Sequence, residues 1–205
     1  MTNAQIYQLF PTTIYKNQIN KNLTKSELDF IISQKSKIYK NIGNKSSNDN
    51  YILENKELVN LKKQILNFVN DHTKNVLAVD TKKVTPYITQ SWLNFTNVNE
   101  FHHLHNHTNS YLSGVFYIKA KKGVDKIFFE KNMNYILHPK FTEFNINNSN
   151  SWWLPTETGD ILLFSSKLKH YVKPKEDTNE RISLAFNVFL KGEIGTKNDF
   201  TELLI

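Results

Sequence analysis

The chain has 205 residues, enough for a domain with its own core, and 39% of them are apolar and 13% aromatic, which excludes a disordered chain. It contains no cysteine, so disulfides, thiolate metal sites, iron–sulfur clusters and cysteine nucleophiles are all excluded. The formal charge of +7 is carried by 25 Lys and one Arg, and 27 residues are Asn. Lys and Asn rise together in A/T-rich coding DNA, and the lysines are scattered along the chain rather than gathered in a stripe. The charge therefore names no acidic partner, and nucleic acid is disfavoured. No apolar run approaches the roughly 18 residues that cross a bilayer, and the start MTNAQIYQLF lacks a signal-peptide layout, so a cytoplasmic protein with no membrane partner is expected.

In chain order, residues 5–15 (QIYQLFPTTIY) read as a short strand broken by Pro11, which favours a sheet edge. Thr24-Lys-Ser-Glu27 is a capping box, and it predicts a helix from about 25 to 39 with Leu28, Ile31, Ile32 and Ile38 on one face. Residues 41–50 (NIGNKSSNDN) read as a polar loop, and Leu58, Leu61, Ile65, Phe68, Val69 and Val76 predict a second helix over 55–78. Both apolar stripes read as packing faces. From residue 85 the pattern changes to short alternating segments at 87–96, 101–107, 112–119, 125–130, 160–165, 170–173 and 181–190, the spacing of a sandwich, barrel or jelly roll. The Asn-rich segment 131–158 has only broken strand signals and is expected to be a long loop or lid. The whole is expected to be a single domain, 1–205. In it, 1–84 pack as strand and helices on a core at 85–192, and 193–205 form a tail.

Arg181 is the only arginine. Lys serves as a generic surface cation, whereas Arg supplies a planar fork that grips a carboxylate or phosphate with two parallel hydrogen bonds. After it, Ile182, Leu184, Phe186, Val188 and Leu190 alternate with Arg181, Ser183, Ala185, Asn187 and Phe189. This is a strand with one apolar face and a second face carrying a cation, a hydroxyl and an amide, as in a barrel wall that lines a ligand cavity.

Four of the seven histidines lie within six residues, His102, His103, His105 and His107. In an extended segment 103, 105 and 107 share a face and 102 takes the other. Such a cluster is either a polar edge or a metal site, and neutral imidazole suits iron, zinc, copper and nickel. His170, heading another predicted strand, adds a third candidate ligand. A cupin-type site fails on spacing: the position four residues after His107 is Tyr111 rather than Glu, and Gly159 lies eleven residues before His170. An oxygenase-type spacing fits, because Arg181 follows His170 by eleven residues and Ser183 follows two later.

On these residues the chain resembles the 2-oxoglutarate/Fe(II)-dependent oxygenase superfamily, and within it a group of oxygenases common in phage and bacterial genomes. The resemblance is carried by LFPTTIY near the start, SWLNF at 91–95, HNHTNSYLSGVFYI at 105–118, PTETGDILLFSSKLKHYVKP at 155–174 and RISLAFN at 181–187. It implies a mainly β fold with N-terminal helices: a double-stranded β-helix (jelly roll) core packed by two or more helices. It also implies Fe(II) as cofactor, held by His105, His107 and His170. Its co-substrate would be 2-oxoglutarate, its distal carboxylate held by Arg181 and Ser183 with Tyr117 beside them. Asn94 and Asn187 would be supporting or substrate contacts. O2 and an unidentified prime substrate would complete the reaction, which the resemblance implies is a hydroxylation.

The departure lies at His107, where the superfamily's triad carries a carboxylate. Three neutral ligands leave Fe(II) with its full charge until the 2-oxoglutarate dianion arrives. His103-Leu-His105 is a second HxH. The register at 105/107 is preferred because Asn109-Ser110 and Ser113-Gly114 then align with the family pattern. Two alternatives stay open. One is a three-His dioxygenase that needs no 2-oxoglutarate. The other is a non-catalytic jelly-roll binding module, for which Trp152-Trp153 would be a stacking platform rather than packing.

Overall fold

A computed structural model describes residues 4–19, 22–131, 137 and 139–205. Positions 132–136 and 138 of the expected 131–158 loop lie outside the described residues. The chain begins with strand β1 (Ile14–Gln18), which starts after Pro11 rather than running through it. Helix α1 (Lys25–Ser33) follows, opened by the capping box: the Thr24 hydroxyl accepts from the Glu27 N–H, and the Glu27 carboxylate accepts from the Thr24 N–H at 2.7 Å.

The predicted helix to 39 stops earlier, because Ile38–Lys40 (β2) pairs with Lys45–Ser47 (β3) inside the expected polar loop. Pairing in the sheet overrides helical propensity there. The second predicted helix likewise divides. Two 3-10 turns, Ile52–Glu54 and Lys56–Leu58, precede α2 (Val59–Asp71), and a π-helical turn, His72–Val76, ends it. The wider turn accompanies the burial of two successive side chains, His72 and Thr73.

Then come β4 (Val84–Thr96), β5 (His102–His105), β6 (Leu112–Lys119), β7 (Lys126–Glu130), β8 (Ser151–Pro155), β9 (Asp160–Ser165), β10 (Lys169–Val172), β11 (Arg181–Ile194) and β12 (Leu203–Leu204). Two of these alter the expected boundaries. β8 lies inside the expected loop 131–158, and β11 runs to 194 and pairs with β12 in the expected tail. Asn-rich flanks hide the strand signal of Ser151–Pro155, which is set by pairing with β7.

The strands form two antiparallel sheets. The larger runs β1-β9-β6-β11-β4-β3-β2 with β12 on β11, and the smaller runs β5-β10-β7-β8. β1 sits at the edge, as Pro11 led one to expect. One face of the larger sheet packs under the helices. Ile182, Leu184, Phe186 and Val188 join Ile31, Leu61, Ile65 and Val69 in that core. Its other face meets the smaller sheet through Val115, Tyr117, Leu162 and Phe164 against Ile127 and Phe129. This is the mainly β, jelly-roll arrangement with helices on one side. Gly114 is required where β6 passes β11, since a Cβ there would lie 2.1 Å from the Phe186 ring. Among the described residues no helix is long and apolar enough to cross a membrane.

Candidate functional site

At one end of the space between the sheets lies a cleft, and nearly all the sequence-predicted site residues line it. Strand pairing explains why. His105 and His170 are direct cross-strand partners on β5 and β10. Just beyond β5, the His107 N–H bonds the Ser166 carbonyl at 3.0 Å, which pins the chain end beside β9. The chain then turns into β6 through Asn109, whose φ of +53° is one that Asn tolerates well. The ligand-capable nitrogens of His105, His107 and His170 all lie within 4.8 Å of one another.

Each of the three rings is held by its Nδ1. His105 Nδ1 lies 2.8 Å from the His103 carbonyl, and His170 Nδ1 lies 3.1 Å from the Leu168 carbonyl. His107 Nδ1 bonds Oδ1 of Asn187. A carbonyl or amide oxygen only accepts, so each Nδ1 carries the proton and each Nε2 keeps its lone pair. Burial holds the rings neutral: His105 is pushed down to about 4 and His170 to about 3, and His107 is lowered too. Three neutral imidazoles, His170 buried and His105 and His107 half-buried, with ligand-capable nitrogens this close are a donor set for a borderline metal such as Fe(II).

One feature of the histidine segment differs from the alternation read in the sequence. The pairing of β5 with β10 slips by one residue, matching His105 to His170 but His102 to Val172. This bulge brings His102, not His103, to the cleft, where its ring stacks on His105 at 4.5 Å. Both His102 ring nitrogens face amides, Asn44 Nδ2 at 3.3 Å and Asn41 Nδ2 at 3.4 Å. Burial, the largest cause, and the neighbouring histidines push His102 down to about 2. His102, His103 and His105 also satisfy the distance condition for a metal. Only the set 105/107/170 lies wholly along the wall of the cleft that Arg181 shares.

Arg181 opens β11 and is 3% exposed. Its Nη2 donates to the Thr96 hydroxyl at 3.3 Å, across the strand pair 181/96. Its Nε is buried with no partner, and no carboxylate pairs with it among the described residues. A permanently charged guanidinium held this way is incomplete without an anion. The next row of the sheet sets Asn94, Ser183 and Tyr117 side by side on β4, β11 and β6. Burial pushes the Tyr117 phenol up to about 12, so it stays protonated and able to donate. Asn94 accepts from the Ser46 hydroxyl at 2.8 Å. A second row places Asn187 beside Ser113, and that is how its amide reaches His107.

The cleft thus joins a three-imidazole pole to a cationic pole lined by hydroxyls. Sequence reading missed three contributors: His102, Thr96 and Trp92. The Trp92 ring lies 5.5 Å from that of His107. Period 2 along β4 from Asn94 would have found Trp92 and Thr96, whereas the bulge that turns His102 inward leaves no sequence signal.

Residues 90–187 match the model of a family described as "Putative 2OG-Fe(II) oxygenase". No curated protein matches by sequence. Among solved structures, the chain is similar to the non-heme alpha ketoglutarate dependent carbocyclase SnoK from nogalamycin biosynthesis (TM-score 0.61, 7% identity, covering 92% of this chain and 85% of that one). It is also similar to HygX from Streptomyces hygroscopicus, solved with nickel and 2-oxoglutarate bound (TM-score 0.56, 12% identity, 86% and 82%). A third is a prolyl-4-hydroxylase from Pseudomonas putida (TM-score 0.51, 10% identity, 86% and 92%). At these identities the likeness is one of fold.

Proposed function

From a chain whose residues 90–187 match a 2OG-Fe(II) oxygenase family model, we propose an Fe(II) enzyme that uses O2 and 2-oxoglutarate to oxidise a prime substrate through a three-histidine metal site. The observation that carries the reading is the buried Arg181, with no carboxylate partner among the described residues, in the same cleft as the His105, His107 and His170 rings. A dicarboxylate with one end on a metal and the other on a guanidinium completes both poles at once. Neither pole explains the other without it.

In this reading His105, His107 and His170 hold the metal, and the Nδ1 bonds to His103, Leu168 and Asn187 keep each ring in the ligating tautomer. Arg181 takes the distal carboxylate in a charge-assisted pair, with the Ser183 hydroxyl and the Tyr117 phenol as further donors. When bound, Fe(II) couples the oxidative decarboxylation of 2-oxoglutarate by O2, giving succinate and CO2, to oxidation of the prime substrate. Phe164, packed edge-on to His170 at 4.8 Å, together with Val115 and Ile127, keeps water from the inner side of the cleft.

No residue of the trio is anionic. The co-substrate therefore supplies the negative charge that a carboxylate ligand supplies elsewhere, and metal and 2-oxoglutarate bind with positive cooperativity. The test is succinate release under air with Fe(II) and 2-oxoglutarate, comparing wild type with His170→Ala and Arg181→Ala. The proposal expects slow release without prime substrate, loss of release in His170→Ala, and a sharply raised 2-oxoglutarate requirement in Arg181→Ala. Arg181→Ala turning over at wild-type 2-oxoglutarate concentrations would overturn the assignment.

A further inference from the structure

The face of the smaller sheet turned away from the cleft is aromatic and cationic, and the oxygenase reading makes no use of it. Ile127, Phe129 and His170 point inward, so Lys126, Phe128 and Tyr171 point outward. The register then builds a cross-strand row, Tyr171–Phe128–Trp153, over β10, β7 and β8. Tyr171 and Phe128 stack at 5.1 Å with 25° between their planes. Trp153 is 40% exposed, and Trp152 lies parallel beside it at 6.5 Å. Two lysines ride on this row, Lys173 Nζ 4.7 Å from the Phe128 ring centre and Lys126 Nζ 4.3 Å from that of Trp153.

Neither lysine forms an ion pair among the described residues, although ten such pairs occur elsewhere. Phe128 and Trp153 of this row floor an open depression that Lys126 and Lys173 also line, with Phe144, 71% exposed, on its rim and no acidic residue in its described lining.

From this geometry we infer that the outer face of the β5-β10-β7-β8 sheet binds single-stranded nucleic acid, its bases stacking on Phe128, Tyr171 and Trp153 and its phosphates meeting Lys126 and Lys173. A four-stranded antiparallel sheet with aromatic rings on its two central strands offers flat platforms to unstacked bases, whichever base is present. The lysine ammoniums keep N–H donors free of the ring faces for phosphate oxygens, and Glu130, the carboxylate that alternation puts on this face of β7, lies opposite Lys169 at the far end of the strand from Lys126. A neutral glycan would use the rings but not the two unpaired cations. In sequence, Lys126 and Lys173 are 47 residues apart and look like scatter, and only the register brings them together.

The test is fluorescence anisotropy of a labelled oligothymidylate of about 15 nucleotides, within the range of known single-strand site sizes. It is titrated with metal-free wild type, Trp153→Ala, Phe128→Ala and Lys126→Glu/Lys173→Glu at several salt concentrations. The inference expects saturable binding to wild type, weaker binding to duplex of the same length, and a loss of about fivefold or more in each aromatic variant. The lysine double variant should lower the salt slope by about 1.4, from two phosphate contacts at ~0.7 each. It should also fold as wild type, since both sites are on the surface. No saturable binding at about 100 µM protein, the weak end of non-specific affinity, would overturn the inference. So would aromatic variants and heparin both binding like wild type and oligothymidylate, which would reduce the face to a general polyanion surface.

Discussion

Arg181→Met separates the two roles a buried arginine can have. In the free protein the guanidinium is 3% exposed, makes one 3.3 Å bond to Thr96 and leaves Nε without a partner. It is a desolvated charge waiting for its counter-ion, so replacing it with an apolar side chain of similar length should stabilise the ligand-free fold. Relief of such a charge is worth about 1–3 kcal/mol. For a chain of this size each kcal/mol moves Tm by about 2–4 °C, so the ligand-free variant should melt ~2–12 °C above wild type. The same change removes the anchor of the distal carboxylate, and truncating one partner of a buried charge pair costs about 2–5 kcal/mol, some 30-fold to several thousand-fold in affinity.

The assay is thermal unfolding of both proteins, metal-free and Fe(II)-loaded under argon, with and without 2-oxoglutarate. At ligand near 100 times the wild-type Kd, wild type should gain about 2.7 kcal/mol and the variant less than about 1 kcal/mol at the same concentration. A variant that melts well below wild type and still responds to 2-oxoglutarate would refute the reasoning, because Arg181 would then be an ordinary structural side chain.

Four further outcomes follow from the same geometry. His107→Asp introduces the missing carboxylate and should tighten Co(II) or Fe(II) binding in the absence of 2-oxoglutarate, measured by competition with a chelating dye; unchanged or weaker binding would argue against His107 as a ligand. Asn187→Ala removes the acceptor for His107 Nδ1 and should weaken metal binding by about 10–100-fold with the fold intact by circular dichroism. Gly114→Ala should cost about 1–3 kcal/mol or more in a denaturant titration, since its Cβ meets Phe186, and Phe186→Leu should recover part of the loss.

The metal-free fold should also lose stability at acid pH. His72 and His170 are buried and His102 and His105 half-buried, all with lowered proton affinity, so below about 6.5 the unfolded chain takes up protons that the folded chain refuses. The contribution of these residues is therefore full above that pH and falls toward pH 4. A flat urea midpoint over that window would contradict their burial as neutral rings. His72→Phe, at a ring with neither nitrogen hydrogen-bonded, should flatten part of the slope.

Much of this was legible in the sequence for identifiable reasons. Strict alternation from Arg181 to Leu190 sorted one strand into an apolar face and a polar face, and the structure packs the first under the helices and opens the second to the cleft. The capping box at Thr24 fixed the start of α1 because it is a local device. What escaped depends on partners distant in the chain. α1 ends at Ser33 because Ile38 pairs with Ser47, and β8 exists because β7 pairs with it. The site shows the same division. His105, His107, His170 and Arg181 were expected from the family resemblance and lie together in one cleft, but the slip in β5 that exchanges His103 for His102 arises from pairing and has no local signature. The aromatic–lysine row on the outer sheet was invisible for the same reason, its members spread from Lys126 to Lys173.

The most direct test of the central claim is isothermal titration of 2-oxoglutarate into anaerobically Fe(II)-loaded protein, with metal-free protein, His170→Ala and Arg181→Ala alongside. The account predicts one binding event in wild type that requires the metal and disappears in both variants. Binding that is indifferent to the metal or to Arg181, or no binding in loaded wild type, would contradict it.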